Sequence, residues 1–374
     1  MINSPKEMIH NILHKLQNIK KADSGSAFIG LDGYVDRIIK PVKKQVRNQP
    51  LFYETITDFA LDCKDAAGVS RQFELCTQEV KLGGNAPIFS LALSTLGCEV
   101  TCMGNFGDDA LHPVFESLHS SSKLISLGDP AETIALEFKD GKLILSELSS
   151  LDMLDWNKVS KTCESADMCN NILDSTLFAL VGWSNLKKAT EIWEGLLREF
   201  VSKAGVKNRI FFFDLADPSK KSDEDVVHIL QVIAAFKPFG KVYLGLNENE
   251  TRKLHCIITG TSSNSGMDLT TVCGELFKKI DIDTLLTHPV DKSIITSVDG
   301  ITLVQGKIVE HPRISTGGGD NLNSGFCFGL MNGFSPEESA ILGMANSGAY
   351  VLNGYSPNME ELKHYLSEWA KSSA

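Results

Sequence analysis

Residues 209–247, RIFFFDLADPSKKSDEDVVHILQVIAAFKPFGKVYLGLN, decide the fold. The ends of this stretch, RIFFFD at 209–214 and KVYLGLN at 241–247, are apolar on consecutive positions, as strands are when both faces of their sheet are covered. Between them, 223–237 carries spaced apolar residues among charges, which predicts a helix and makes the whole a β-α-β unit. The rhythm extends outward. AFIGL at 27–31, TLFALVG at 176–182 and TLLT at 284–287 read as further covered strands, and 187–204 and 269–280 as further helices. The chain is therefore predicted to be α/β: one doubly wound, mainly parallel sheet flanked by helices. In such sheets ligands bind beyond the carboxyl ends of the strands, where Asp214, Asn247 and the loop 315–320 fall.

Two regions break the rhythm. Residues 33–82 and 129–148 contain alternating segments, RQFELCTQEVKL at 71–82 and TIALEFKDGKLILSE at 133–147, the latter with Asp140-Gly141 as a hairpin turn. They predict a small antiparallel sheet outside the main one, either a lid that closes over a substrate or a dimerisation surface. Met8, Ile9, Ile12, Leu16 and Ile19 recur at helical spacing among lysines, so 1–22 is expected to form a helix docked on the body of the protein. No linker, repeat or low-complexity tract divides the chain, and 1–374 reads as one domain.

Composition excludes several classes. A net charge of −11 with dispersed lysines offers no footprint for nucleic acid. The cysteines at 63, 76, 98, 102, 163, 169, 256, 273 and 327 form no CxxC pair or zinc spacing and are odd in number, as expected of reduced, packed thiols. No run approaches the ~18 apolar residues of a membrane span, and the cytoplasm is the expected compartment.

The chemistry is concentrated in STGGGDNLNSGF at 315–326. Gly317, Gly318 and Gly319 run into Asp320 and then into a helix marked by Leu322, Phe326 and Leu330. Bare backbone followed by the unpaired N–H groups of a helix start suits an anionic oxygen, and the same terminus favours an ionised Asp320 able to take a proton. An aspartate there is equally a helix cap after a tight turn.

Three further places carry polar side chains on glycine-rich or strand-end backbone. In KLGGNAPIFSLALSTLG at 81–97, Gly83 and Gly84 precede Asn85, which can hold a polyhydroxylated ligand or cap the helix that begins beside Pro87. In GLDGYVDRI at 30–38, Asp32 and Asp36 can accept two neighbouring hydroxyls or simply occupy a surface turn. In NENE at 247–250, Asn247 and Glu250 can position waters around magnesium, and they also match a capping box.

The order of these elements resembles the ribokinase-like, or PfkB, family of carbohydrate kinases: an early aspartate, Gly-Gly-Asn followed by LSTLGCEVTCMGNFGDDALHPVF at 93–115, Asn-x-x-Glu, then Gly-x-Gly-Asp. The resemblance runs from roughly residue 27 to 354 and implies a ribokinase-like fold with a β-sheet lid. It further implies an ATP- and magnesium-dependent kinase acting on a hydroxymethyl group of a sugar or nucleoside. Asp320 would be the general base and Gly317, Gly318 and Gly319 the anion hole. Asn247 and Glu250 would organise Mg2+, and Asp32, Asp36, Gly83, Gly84 and Asn85 would hold the sugar. Phosphoryl transfer is mostly positioning and charge neutralisation, which suits that division. Two assemblies are open, a homodimer through the lid or a chain in which the helical additions at 54–67 and at the N-terminus block that pairing, with neither nucleic acid nor a membrane as partner.

The chain departs from the family pattern in two places. Ile314 and Ser315 stand where Asp-Thr is usual, and THPVDKS at 287–293 replaces a Thr-x-Gly-x-x-Gly stretch beside the nucleotide, with His288 reading as a loop residue. A catalytically silent ligand-binding or regulatory protein on the same scaffold is the competing expectation. A kinase for a pyridoxal- or pyrimidine-type alcohol, with an aromatic pocket at the lid, is the third.

Overall fold

Three consecutive phenylalanines show how the main sheet is built. In the computed structural model, which describes residues 5–19, 25–164, 172, 174–205, 208–314 and 316–372, Phe211 and Phe213 join the apolar cluster on one face of the sheet and Phe212 the cluster on the other. The ends of the expected helix over 1–22, Cys169 and Ser315 lie outside the described residues. Side chains alternate along a strand, so a continuous apolar run buries itself only where helices cover both faces.

In chain order the strands are β1 Ser26–Gly30, β2 Tyr34–Val46, β3 Gln49–Phe52, β4 Glu74–Gly83, β5 Glu99–Gly104, β6 Lys123–Ser126, β7 Ala131–Phe138, β8 Gly141–Glu147, β9 Leu177–Leu180, β10 Ile210–Asp214, β11 Lys241–Leu246, β12 Thr284–Thr287, β13 Lys292–Ser297 and β14 Gly300–Gln305. The longer helices are α1 Pro5–Asn18, α2 Ile56–Asp65, α3 Asn85–Thr95, α4 Trp156–Cys163, α5 Ala189–Leu196, α6 Asp223–Ala234, α7 Glu248–Thr259, α8 Leu269–Phe277, α9 Gly318–Met331, α10 Pro336–Asn353 and α11 Met359–Ser372. The main sheet has nine strands in the order β14-β13-β12-β11-β10-β9-β1-β5-β6, parallel from β12 to β6 and closed at one edge by the antiparallel β13 and β14. Helices α4 to α8 supply the first apolar cluster, through residues such as Val159, Trp193, Ile229, Leu254 and Val272. Helices α1, α3, α9, α10 and α11 supply the second, through Ile12, Phe89, Phe326, Ala345 and Leu366. Among the described residues no helix is long and apolar enough to cross a membrane.

The stretches 33–82 and 129–148 come together as a separate five-stranded sheet. It is mixed, not antiparallel as expected, because β2 and β7 pair in parallel. Both strands leave the carboxyl end of the main sheet, β2 just after β1 and β7 just after β6, and the Ala131 N–H donates to the Gly33 carbonyl where they set out together. The hairpin between β7 and β8 turns at Lys139 and Asp140, with Gly141 already paired to Phe138, one residue earlier than Asp140-Gly141 predicts. Helix α2 covers part of this sheet, setting Phe59 edge-to-face against Tyr53 and Phe73 at centroid distances of 5.2 Å.

Helix α1 docks where its apolar spacing points. Ile9, Ile12 and Leu16 are buried against α10 and α11, and Lys15 pairs with Glu338 at 2.6 Å. Ile12→Ala is expected to cost about 2–5 kcal/mol, seen as a lower urea midpoint with unchanged native far-UV circular dichroism.

Candidate active site

The parallel sheet reverses its strand order at β1, which lies between β5 and β9, and a crevice opens at the carboxyl ends there. Asp32 follows β1, Asn185 lies just beyond β9, Asp214 ends β10, Asn247 follows β11 and His288 follows β12.

Two helix starts meet in this crevice. At α3, the buried carboxylate of Asp32 accepts the N–H groups of Asn85 at 3.1 Å and Ala86 at 2.8 Å, capping the helix from another strand's loop. Asn85 is thus left with its side chain free to leave the helix, and its Nδ2 donates to Asp320 Oδ1 at 2.8 Å. At α9, Gly317 is the N-cap with φ of 87°. A Cβ there would lie 2.8 Å from the Tyr350 hydroxyl, which donates to the Thr316 carbonyl. Gly318 and Gly319 differ, since a Cβ on either meets only ordinary contacts, 3.4 Å from Val351 and 3.6 Å from His288. The fold itself demands a glycine only at 317.

Asp36 takes another position. A Cβ on Gly83 would fall 2.3 Å from the Asp36 carboxylate, so this carboxylate occupies the space a side chain at 83 would fill. Burial raises its pKa, opposed by Lys81 and a hydrogen bond with Thr133. The two aspartates that read alike in sequence are therefore distinct: Asp32 is committed to backbone amides, whereas Asp36 lines a cavity of about 470 Å3 on the lid side with Lys81 and Tyr350.

Asn247 and Glu250 form a complete capping box. The Asn247 oxygen accepts the Glu250 N–H at 2.9 Å, and the Glu250 carboxylate accepts both the Asn247 N–H at 2.9 Å and Nδ2 at 2.7 Å. The same carboxylate faces the site. Burial and repulsion from Asp214 push Glu250 up to about 8, and burial raises Asp214 to about 6 even though it accepts from Asn323 at 2.7 Å. Asp32 rises to about 7 for the same dominant reason.

Asp320 differs from the sequence expectation of a readily ionised group. Burial, then repulsion from Asp214, Asp32 and Glu250, holds its pKa well above the usual carboxylate range, with Asn85 pulling the other way. The favourable field of a helix terminus is worth less than desolvation among three carboxylates. Among the described residues no three His, Cys, Asp or Glu side chains form a direct metal cage. The all-oxygen set of Asp214, Asn247 and Glu250 instead suits a hydrated magnesium ion, which keeps its waters and takes its remaining ligands from phosphates.

A cavity of about 360 Å3 lies on the other side of the Gly317–Asp320 turn, lined by Gly318, Gly319, Leu322, Met344, Val351 and His288. Burial lowers His288 to about 4, and its Nε2 has no hydrogen-bond partner, so the sequence reading of a plain loop residue misses its placement in the cavity wall. Also missed were Asn185, whose Nδ2 donates to Asn85 Oδ1 at 3.3 Å, and Lys220, which donates to Asn185 Oδ1 at 2.7 Å. Only their positions just after apolar strands could have signalled them. In the GNFGDD segment Asn105 donates to the Asp129 carbonyl at 2.8 Å and pins the loop leading to β7.

Residues 9–369 match the sequence profile of the prokaryotic ketohexokinase family. A curated ketohexokinase from Haloferax volcanii is 25% identical over 353 residues, covering 93% of this chain and 92% of that protein. Among solved structures, ribokinase from Thermotoga maritima superposes with a TM-score of 0.64 at 16% identity, over 92% of this chain and 99% of its own. Arabidopsis thaliana ribokinase, solved with ribose and ATP, gives 0.62 at 13% identity, over 91% and 98%.

Two measurements check this geometry. Gly317→Ala, forced into the left-handed region against Tyr350, is expected to lose about 1–2 kcal/mol of stability, whereas Gly319→Ala keeps or slightly gains it. The raised carboxylates set a pH slope. Each binds its proton more tightly folded than unfolded, so its contribution is fully present below the unfolded values of 3.8 for Asp and 4.5 for Glu and is lost as pH rises through about 6 for Asp214, 7 for Asp32 and 8 for Glu250. Asp320→Asn removes one such group. Its melting temperature relative to wild type, scanned from pH 4 to 8 without ligand, is expected to start near equality and rise above it as the pH increases.

Proposed function

Since the chain belongs to the prokaryotic ketohexokinase family and is a carbohydrate kinase, we propose that it transfers the terminal phosphoryl group of ATP to a hydroxymethyl group of a ketohexose. The observation that carries this reading is the Asn85–Asp320 hydrogen bond of 2.8 Å, which brings the Gly-Gly-Asn segment and the glycine turn into one crevice. Asp36 and Asn85 bind sugar hydroxyls from the lid side, while Asp32 holds the start of α3 in place. Asp320 accepts the proton of the attacking hydroxyl as that oxygen bonds phosphorus and the bridging P–O bond breaks, releasing the nucleoside diphosphate. The N–H groups at the start of α9 receive the transferred group, with Gly318 and Gly319 admitting it close to the backbone.

The cavity lined by Leu322, Met344 and Val351 takes the apolar face of the nucleotide base. Asn247, Glu250 and Asp214 would hold the waters of a magnesium ion arriving with the nucleotide, which would supply neutralisation of phosphate charge. With such a positive charge nearby, the strongly raised Asp320 carboxyl would ionise more readily and serve as the base when substrates are bound. The hydroxyl-binding carboxylate of Asp36 faces the lid side, and the aromatic rings of Tyr53, Phe73 and Phe59 of α2 pack on one another; both features favour a sugar over a flat heteroaromatic alcohol. A single kinase domain with β2, β3, β4, β7 and β8 as its lid accounts for the architecture. The exposed residues Val80 and Leu145, in register on one face of the lid sheet, provide the surface through which two copies pair.

A coupled assay for ADP formation over ketohexoses, aldoses and nucleosides is expected to find turnover with a ketohexose, and Asp320→Asn to lower kcat by about 10²–10⁴. ATP binding or turnover absent from wild type with every sugar, together with tight sugar binding by calorimetry, would establish the silent binding protein instead.

A further inference from the structure

A line of polar groups leads from the surface to Asp320. The turn Pro218–Lys220 packs on the turn Trp183–Asn185, and the Ser184 N–H donates to the Leu215 carbonyl at 3.0 Å, locking the two loops together. Across this junction Lys220 Nζ donates to Asn185 Oδ1 at 2.7 Å, Asn185 Nδ2 to Asn85 Oδ1 at 3.3 Å, and Asn85 Nδ2 to Asp320 Oδ1 at 2.8 Å. Gly182 leaves the middle link clear, since a Cβ there would lie 3.1 Å from Asn85 Oδ1.

The two ends of this line are chemically unlike. An ammonium group only donates, and the Asp320 carboxylate, ionised when substrates are bound, only accepts. Each amide between them offers one donor side and one acceptor side, so a single orientation of Asn185 and Asn85 matches all three contacts. Reversing either amide sets a donor against a donor or an acceptor against an acceptor.

We propose that Lys220 is a positioning residue for Asp320: through Asn185 and Asn85 it fixes the amide that holds Oδ1, leaving Oδ2 as the atom that takes the substrate proton. The proposal rests on the kinase reading for its catalytic consequence and on hydrogen-bond matching alone for the orientation. Lys220 is exposed, so it acts without burying its charge, and substitutions at 220 leave the core untouched.

Three variants and two readouts test it. Lys220→Arg keeps a donor-only group and is expected to retain kcat within about twofold; Lys220→Met removes the donor and loses about three- to tenfold. Lys220→Glu places an acceptor at each end of the line, which the two amides cannot satisfy together, and is expected to lose about ten- to a hundredfold in kcat. The KM for ATP should stay within about twofold, while the KM for sugar rises together with the fall in kcat, because the Asn85 amide that the line orients also binds sugar hydroxyls. Unchanged kcat in Lys220→Glu overturns the proposal, and so does a loss confined to KM, which would mean that the line serves ligand binding and not the orientation of Asp320. Independently of turnover, the side-chain NH2 resonances of Asn185 and Asn85, assigned from Asn185→Asp and Asn85→Asp, should both move in Lys220→Glu and neither in Lys220→Arg. If the Asn85 signal stays in place in Lys220→Glu, no relay exists. A wild-type protein without sugar-dependent turnover sinks the kinase reading, while the resonances still decide the relay.

Discussion

The hydrogen bond from Asn85 to Asp320 joins the starts of two helices separated by 235 positions along the chain, and the rest of the site is arranged around it. Helix α3 can offer that amide because Asp32 relieves Asn85 of any capping duty by accepting the Asn85 and Ala86 amides itself. Helix α9 can present Asp320 because Gly317 turns the chain through a left-handed conformation and Tyr350 anchors the turn at the Thr316 carbonyl. Each of these is a backbone requirement first.

The cost of the arrangement is electrostatic. Asp32, Asp214, Glu250 and Asp320 stand within mutual reach in a buried crevice, and burial dominates the upward shift of each. Such concentration of like charge lowers the stability of the protein alone and is tolerable where a cation and a polyhydroxylated, phosphorylated ligand pair are to be received. The capping box of Asn247 and Glu250 shows that a structural and a proposed functional role need not compete, because a carboxylate has lone pairs enough to cap its helix and still face water on an ion.

Much of this was legible in the residues. Continuous apolar runs in the strands announced a sheet covered on both faces, and the phenylalanines at 211, 212 and 213 divide between the two clusters accordingly. The glycine turn, Asn85 and the carboxylates were visible as types of residue suited to the chemistry. Asn185, Lys220 and the wall position of His288 were not, because ordinary polar residues after a strand carry no local signal of what they will face. The mixed lid sheet also escaped prediction, since alternation reveals that a strand has two unlike faces but not the direction of its neighbour.

Sequence by itself determined the covered parallel sheet, a glycine turn somewhere in 317–319 and the supply of carboxylates, for these depend on side-chain periodicity and on φ, which are local properties. Tertiary structure alone decided that Asp32 would serve backbone amides while Asp36 lined a cavity, that Asn85 would reach Asp320, and that the Asp320 proton would be held well above the usual range. Desolvation and hydrogen-bond pairing depend on which distant segments share a volume, and that information resides in the packing of the chain and not in any stretch of it.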